Sequence, residues 1–390
     1  MDTVKVGIIG IGNIGTAHFK CIYDGEIDNL IITAVCDIKE QKLDYINENY
    51  EGVAVFKDYN EMIESGLIDS VIISVPHKLH GGIAVKALER GLNVLVEKPV
   101  DVSVSSALKV NKAAEKSGRV FAIMFNQRTN SHYIHAHDLV RKEEIGELKS
   151  VRWIITNWYR TQAYYDSGEW RGTWNGEGGG VLINQSPHNL DLLQWICGMP
   201  KALTAFCSIG KYHNIEVEDE ASLFLEFQNG ANGIFITSTG EYPGTNRLEI
   251  NGTLGKIVIE NGVFKFWKLK TDERKVCFES IKGFEEIDFD YCENSDYTES
   301  AHKGILQNFT NAILFGEKLI ADGIEGVNQI MLTDAAYLSQ SHENRRIELP
   351  FEPAEYDMFL TEMRKRALEK PEECHDENVS GYNKRWSVRW

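Results

Sequence analysis

Lys98 closes the apolar run Leu92-Asn93-Val94-Leu95-Val96-Glu97-Lys98-Pro99, and a glycine-spaced segment, Gly10-Ile11-Gly12-Asn13-Ile14-Gly15, lies upstream of it. In an open parallel sheet, ligands bind in the crevice beyond the carboxyl ends of the strands, so a lysine directly after such a strand points its ammonium into that crevice. There it can hydrogen-bond a reacting hydroxyl and stabilise the alkoxide that forms as hydride leaves. Burial beside a cofactor lowers the pKa of a lysine and eases proton exchange. From the tripeptide alone, a solvated strand-end lysine is the plainer reading. The glycine segment shifts the balance towards chemistry. Glu97 is read as an anchor for this loop or for the ribose side of a cofactor, and not as an acid.

The glycine segment has the context that gives it meaning. Val4-Lys5-Val6-Gly7-Ile8-Ile9 reads as a buried parallel strand and a helical pattern opens at Ile14. Gly10 suits the tight turn, Gly12 the close approach of backbone to a pyrophosphate, and Gly15 the packing of helix on strand. The helix N-terminus, entered through Asn13 and Ile14, turns free N–H groups and a positive dipole end towards phosphate. A second apolar run, Leu30 to Cys36, ends in Asp37, 22 residues after Gly15 (37 − 15). That is the spacing of a carboxylate that bonds a ribose 2′-hydroxyl, which favours NAD over NADP, although Lys39 nearby can accommodate a 2′-phosphate.

A second cluster is Asn184-x-x-x-His188-x-x-Asp191 on a helix expected from Ser186 to Cys197. The spacings of four and three place all three on one face of its opening turns. A neutral imidazole can accept a substrate proton as hydride departs, so His188 is the candidate general base. Asp191 either orients the ring or braces the helix. Just upstream, Trp158, Tyr159, Tyr164, Tyr165, Trp170 and Trp174 crowd together with Asn157, Arg160, Gln162 and Arg171. Aromatic faces suit the C–H faces of a pyranose or cyclitol, and amides and guanidinium groups suit hydroxyls, with a ring phosphate or carboxylate also accommodated. Sheet packing and interface contacts account for about half of such aromatics. Tyr164, Trp170 and Arg171 are the chosen substrate contacts. His132, His135, His137 and Asp138 do not share one helical face and no second cluster completes them, so no metal site is expected. His77 and His80 flank the turn after the fourth strand, where His80 serves either a cofactor or a helix cap.

The elements that position these residues fall into two rhythms. Strands alternate with amphipathic helices to about Phe125, which is the pattern of a doubly wound parallel sheet. Beyond Asn126 longer alternating strands, separated by Asn-Gly pairs at 229–230, 251–252 and 261–262, predict an antiparallel sheet. Helical patterns return at 299–315 and 327–341, and a charged tail from Pro350 carries a helical stretch at 354–369 and ends in Trp386-Ser-Val-Arg-Trp390, read either as a segment docked on the same subunit or a neighbour or as a frayed end. The expected division is a nucleotide-binding unit over 1–125, an α+β unit over 126–350 and a tail over 351–390. A formal charge of −17 over 390 residues, without a basic stripe, argues against nucleic acid and anionic membrane as partners. Seven scattered cysteines without a CxxC pair read as reduced thiols. No apolar run nears a membrane span, and the first strand leaves no room for a leader, so a cytoplasmic protein is expected.

These motifs, with Ser74-Val75-Pro76-x-x-x-His80 and Gly178-Gly179-Gly180 ahead of Asn184, resemble the Gfo/Idh/MocA oxidoreductases over about residues 3 to 345. The resemblance implies an N-terminal Rossmann domain and an α+β domain whose large open antiparallel sheet carries the substrate face and often an oligomer interface. A homo-oligomer, dimer or tetramer, is therefore expected. It gives Lys98 a catalytic role, places a cis bond before Pro99, adds Ser74, Pro76, His80, Glu97 and Lys98 itself to the cofactor contacts, and makes Arg128 a pocket residue. The departure is Asn184, where many members carry aspartate. An amide takes no proton at neutral pH, though it can donate to and accept from a diol. The expected activity is oxidation of a ring hydroxyl of a sugar, glycoside or cyclitol by NAD, leaning to the C3 hydroxyl by likeness to the Asn-Gln-x-Pro-His branch. The alternatives are a redox-neutral NAD-dependent glycosidase or sugar-modifying enzyme, and an NAD(H)-binding sensor without turnover.

Overall fold

A computed structural model describes residues 2–366. The strands β1 (Val4–Ile9), β2 (Leu30–Cys36), β3 (Ala54–Phe56), β4 (Ser70–Ile73), β5 (Asn93–Val96) and β6 (Phe121–Ile123) form one sheet in the order β3-β2-β1-β4-β5-β6. Every pairing in it is parallel. Helices connect successive strands, so β4 and β5 are buried along their whole length. Strands covered on both faces read as near-continuous apolar runs, which is why this half was easy to recognise.

The second sheet has nine strands: β7 (Leu148–Ile155), β8 (Ala202–Ile209), β9 (Glu218–Glu226), β10 (Asn232–Ser238), β11 (Asn246–Gly252), β12 (Gly255–Glu260), β13 (Val263–Leu269), β14 (Phe289–Asn294) and β15 (Ile347–Glu348). Its order is β14-β13-β12-β11-β7-β10-β9-β8-β15. The expectation of an antiparallel sheet holds except at the centre, where β7 and β10 run parallel. Hairpins cannot join parallel neighbours, and here β8 and β9 are inserted between the two in sequence. The Asn-Gly pairs at 229–230 and 261–262 turn hairpins, the second with both residues at positive φ. Asn251-Gly252 instead ends β11, and the chain reverses at Thr253-Leu254.

One face of this sheet packs against the helix Gly326–Ser341, whose Ser339 Oγ accepts the Ala205 N–H at 2.9 Å. The other face leaves Phe206 and Phe224 about half exposed. The Gly326–Ser341 helix also joins the two halves, since Asp334 accepts the Val104 N–H at the start of the helix Val104–Ser117. The stretch read as a charged tail begins with the helix Pro353–Arg366, which buries Tyr356 and Leu360. The terminal tryptophans lie outside the described residues. Among the described residues no helix is long and apolar enough to cross a membrane, and no three His, Cys, Asp or Glu side chains are grouped to hold a metal ion.

Candidate functional site

The nucleotide end is built at the carboxyl ends of β1 and β2. Gly15 lies so close to the turn that a Cβ there would meet the Gly10 carbonyl oxygen at 1.9 Å. At Gly12 a Cβ would meet nothing within 4 Å, so the backbone faces open space where a phosphate can approach. The helix Asn13–Tyr23 begins there with no side chain of the described residues capping its first N–H groups. Uncapped amide donors at a helix start suit an anion, and in this sense the residues fit a dinucleotide. A cavity of about 370 Å³ opens at this point, lined among others by Gly12, Asn13, Lys42 and Tyr45. Asp37 closes β2 and is largely buried. It accepts the N–H groups of Ile11 and Lys39, both at 2.9 Å, and Lys42 Nζ approaches it at 3.2 Å. Lys42 was not anticipated, and it partly neutralises the Asp37 carboxylate.

The next residues form the wall between the two ends. Ser74 Oγ donates to the Gly10 carbonyl at 2.7 Å, which ties β4 to the glycine turn. His80, fully buried, does not cap its helix by a side-chain bond: its ring nitrogens lie 2.7 Å from both the Pro99 and Val75 carbonyls. Burial pushes its pKa down, while the two carbonyls pull it the other way, because a ring serves two acceptors only when it carries both protons. His80 therefore fixes the loop that follows β5. The Lys98-Pro99 bond is cis. Glu97 meets His18 at 2.7 Å through Oε1 and accepts the Lys98 N–H at 3.3 Å on Oε2. Burial would raise the Glu97 carboxyl, but the His18 hydrogen bond and charge, with His302 and Lys98, hold it down at about 2.

The cluster around Lys98 is assembled where the two halves meet. Lys98, at the end of β5, donates from Nζ to the Asn184 carbonyl at 2.8 Å. Burial lowers its pKa to about 8, against the opposing pull of Glu97 and Glu177. Asn184 lies in the turn before the helix Pro187–Cys197 and not on it, because that helix starts at the proline. Its Nδ2 donates to Glu177 Oε1 and, at 3.2 Å, to Tyr164 Oη. Tyr164 Oη also receives Arg171 Nη1 at 2.6 Å and Gln185 Nε2 at 3.2 Å. The Arg171 guanidinium is sandwiched over the Tyr164 and Trp170 rings at 4.4 and 4.5 Å, so Tyr164, Trp170 and Arg171 form one unit beside Asn184. His188 is pushed well below its ordinary pKa by burial and then by Lys98. Among the described residues its buried Nδ1 has no hydrogen-bond partner, nor have Gln185 Oε1 and Arg160 Nε. Buried orphans of this kind call for a ligand or water.

Two expected members stand apart. Arg128 is fully buried; it grips Asp191 through Nε at 2.8 Å and Nη2 at 2.6 Å, and also contacts Glu325. Its guanidinium is committed within the protein, so the expectation of a pocket residue gives way to that of a brace. Asp191 is thereby spoken for and does not turn to His188, which favours bracing among the two readings of Asp191. Burial alone pushes Asp191 up, yet the bidentate fit to a group that keeps its proton is that of a charged pair. Conversely, the sequence reading passed over Glu177, buried between Gly176 and Gly178, although a lone carboxylate inside a glycine run was a signal. It also passed over Glu218, whose carboxylate holds the Gly180 and Leu182 N–H groups, each at 2.9 Å. A larger cavity of about 880 Å³, lined by residues such as Lys109, Lys116 and Arg364, lies elsewhere and includes none of Lys98, Asn184 and His188.

Comparison with known proteins agrees with this architecture. Residues 4–125 match the model of the Gfo/Idh/MocA oxidoreductase family, NAD-binding Rossmann fold, and residues 133–258 match the GFO/IDH/MocA C-terminal domain. A myo-inositol 2-dehydrogenase of Thermotoga maritima is 24% identical over 266 residues, 66% of this chain and 75% of its own length. The WlbA dehydrogenase of Chromobacterium violaceum, solved with NADH and UDP-GlcNAcA, is 25% identical with a TM-score of 0.77, covering 90% of this chain and 97% of that one. A levoglucosan dehydrogenase solved with NADH and levoglucosan shares the fold at 20% identity and a TM-score of 0.72, over 90% of this chain and all (100%) of that one. The chain belongs to the Gfo/Idh/MocA oxidoreductase family and is an NAD-binding dehydrogenase.

Proposed function

We propose that this protein oxidises one ring hydroxyl of a sugar, glycoside or cyclitol to a ketone, with Lys98 and His188 moving the proton. The observation that carries this reading is the meeting of Lys98, at the end of β5 and bonded to the Asn184 carbonyl, with His188 of the helix Pro187–Cys197, whose Nδ1 has no partner among the described residues, burial lowering the pKa of both. NAD, held by Gly10, Gly12, Asn13, Ile14, Gly15, Asp37 and the Ser74-Pro76-His80 wall, supplies a hydride acceptor when bound. The Lys98 ammonium hydrogen-bonds the reacting hydroxyl and stabilises charge as it develops on that oxygen. Neutral His188 accepts the proton. Tyr164, Trp170 and Arg171 hold the ring, and Asn184 binds one of its hydroxyls. The similar enzymes named for inositol and levoglucosan, and the WlbA complex with UDP-GlcNAcA, support this range of rings. Lys98, Arg160 and Arg171 outnumber Glu97 and Glu177, three to two, which favours a ring bearing a carboxylate or phosphate. By its Asn-Gln-x-Pro-His motif we assign the C3 hydroxyl as the reacting group.

We further infer a homo-oligomer formed through the open sheet face bearing Phe206 and Phe224, and a cytoplasmic setting in which the thiols stay reduced. The functional test is NADH formation on mixing protein and NAD with glucose, glucosides, anhydrosugars, uronates, sugar phosphates and inositols. Stoichiometric NADH with one ring class is the expected result. Product without net NADH would replace the dehydrogenase by a redox-neutral enzyme, and silence across the panel by a sensor.

A further inference from the structure

The Glu177 carboxylate accepts from Gly172 N at 2.6 Å on Oε2 and from Asn184 Nδ2 on Oε1. A carboxylate accepts and an amide nitrogen donates, so this contact decides which way the Asn184 amide faces. With its second N–H on Tyr164 Oη, Nδ2 has no proton left for a ligand. Only Oδ1 remains to it, and Oδ1 can only accept. Asn184 thus behaves towards a diol as one oxygen of an aspartate does, and the negative charge an aspartate would bring sits one residue deeper, on Glu177. The charge also reaches Lys98, which is faced by Glu97 and Glu177, by Arg160 and Arg171, and by the imidazoles of His77, His80, His188 and His302. The Glu177 carbonyl accepts from His77 Nδ1 at 3.1 Å, so the same residue pins the wall behind β4.

Resting on the dehydrogenase reading, we infer that Glu177 is a positioning residue of this site: it locks Asn184 as a pure acceptor for a substrate hydroxyl and, with Glu97, adds negative charge beside Lys98. The pair Glu177 and Asn184 then takes the place of a single aspartate at position 184.

The test compares Glu177→Gln, Asn184→Asp and the double variant. In Glu177→Gln the introduced side chain keeps the Gly172 bond through its carbonyl oxygen, but its amide nitrogen then confronts Asn184 Nδ2 and forces that amide to flip, turning a donor towards the ligand. In the double variant the carboxylate introduced at position 184 accepts from the amide introduced at position 177 and again offers an oxygen. Two readouts are used: the pH midpoint of Lys98 acetylation in the ligand-free protein, followed by mass spectrometry, and NADH formation with whichever ring the panel identifies. In Glu177→Gln the Lys98 midpoint should fall by roughly one pH unit or more, and turnover by roughly 10- to 100-fold, the scale of one misplaced charge-assisted hydrogen bond. NADH affinity should hold. The double variant should recover both, and Asn184→Asp alone should raise the Lys98 midpoint.

An unmoved Lys98 midpoint in Glu177→Gln, or a double variant no better than that single one, overturns the inference and leaves Glu177 a purely structural tie. If Glu177→Gln does not fold by thermal melting, the Asn184→Asp midpoint decides: an upward shift supports the inference and an unmoved one overturns it. Absence of turnover in the wild-type protein sinks the dehydrogenase reading, while the Lys98 midpoints still decide the role of Glu177.

Discussion

Two clusters meet around the helix Pro187–Cys197, each built from cations and carboxylates. In the first, Arg128 spends its donors on Asp191, Glu325 and the Ile320 carbonyl, and Asp191 takes in Gln194 as well. In the second, Lys98 holds one backbone carbonyl, Asn184 leans on Glu177 and Tyr164, and buried atoms of His188, Gln185 and Arg160 have no partner among the described residues. The difference separates structure from function. A charge network satisfied within the chain only braces, because ligand could enter it only by breaking it. A network left open keeps hydrogen-bonding capacity for something that arrives from outside.

Breaking the open cluster should cost turnover and little stability. Lys98→Ala is expected to lower kcat by roughly 100- to 10,000-fold, the span of general acid–base contributions, with NADH affinity nearly unchanged by fluorescence titration. His188→Ala should fall in the same range, and turnover that survives it would remove His188 as the base. The closed cluster should respond the other way. Arg128→Met strands Asp191 and is expected to cost about 3–5 kcal/mol of folding stability, read by urea unfolding, while Arg128→Met combined with Asp191→Leu costs much less. An Arg128→Met protein of normal stability without turnover would erase the distinction between the clusters.

The division between what could be read from the sequence and what could not follows the same line. The Rossmann half was legible because glycine spacing, strand runs and Asp37 are local features, and each found its place at the ends of β1 and β2. Lys98 and His188 were singled out by residue type and sequence context, and the fold sets the first at the end of β5 and the second on the helix Pro187–Cys197. Arg128 was misplaced because its partners are 63 and 197 residues away, and nothing local distinguishes a guanidinium that faces a pocket from one that faces Asp191 and Glu325. The parallel β7 and β10 pair was hidden for a similar reason, since strand periodicity carries no direction. Glu177 was overlooked as part of a turn, although it stands in contact with Asn184, the one position already singled out as unusual.

The nucleotide end tests whether a cluster can be intermediate. Asp37 is held by two N–H groups and Lys42, yet a cavity opens beside it at Gly12 and Asn13. If it also bonds a ribose, Asp37→Ala should weaken NAD by roughly 10- to 100-fold, as the loss of a hydrogen bond to a charged group does. NADP should weaken less, so the ratio of the two KM values narrows. Equal losses for both cofactors would place Asp37 with Arg128 among the braces.

The pH profile sharpens the comparison with the smallest perturbation. His188 must be neutral to accept a proton, and its pKa lies well below 6.5, so kcat/KM should climb only on the acid side and be level near neutrality. Lys98 must be protonated to stabilise the developing alkoxide; its ammonium is complete below about 8 and is lost as pH rises through that value, so kcat/KM should fall there. The result is a plateau bounded above by Lys98. A rate that instead climbs through pH 8 would mean that neutral Lys98 takes the proton, leaving His188 to bind and not to accept. Lys98→Arg discriminates further, because guanidinium stays charged throughout: its turnover should be lower everywhere, and the alkaline fall should vanish.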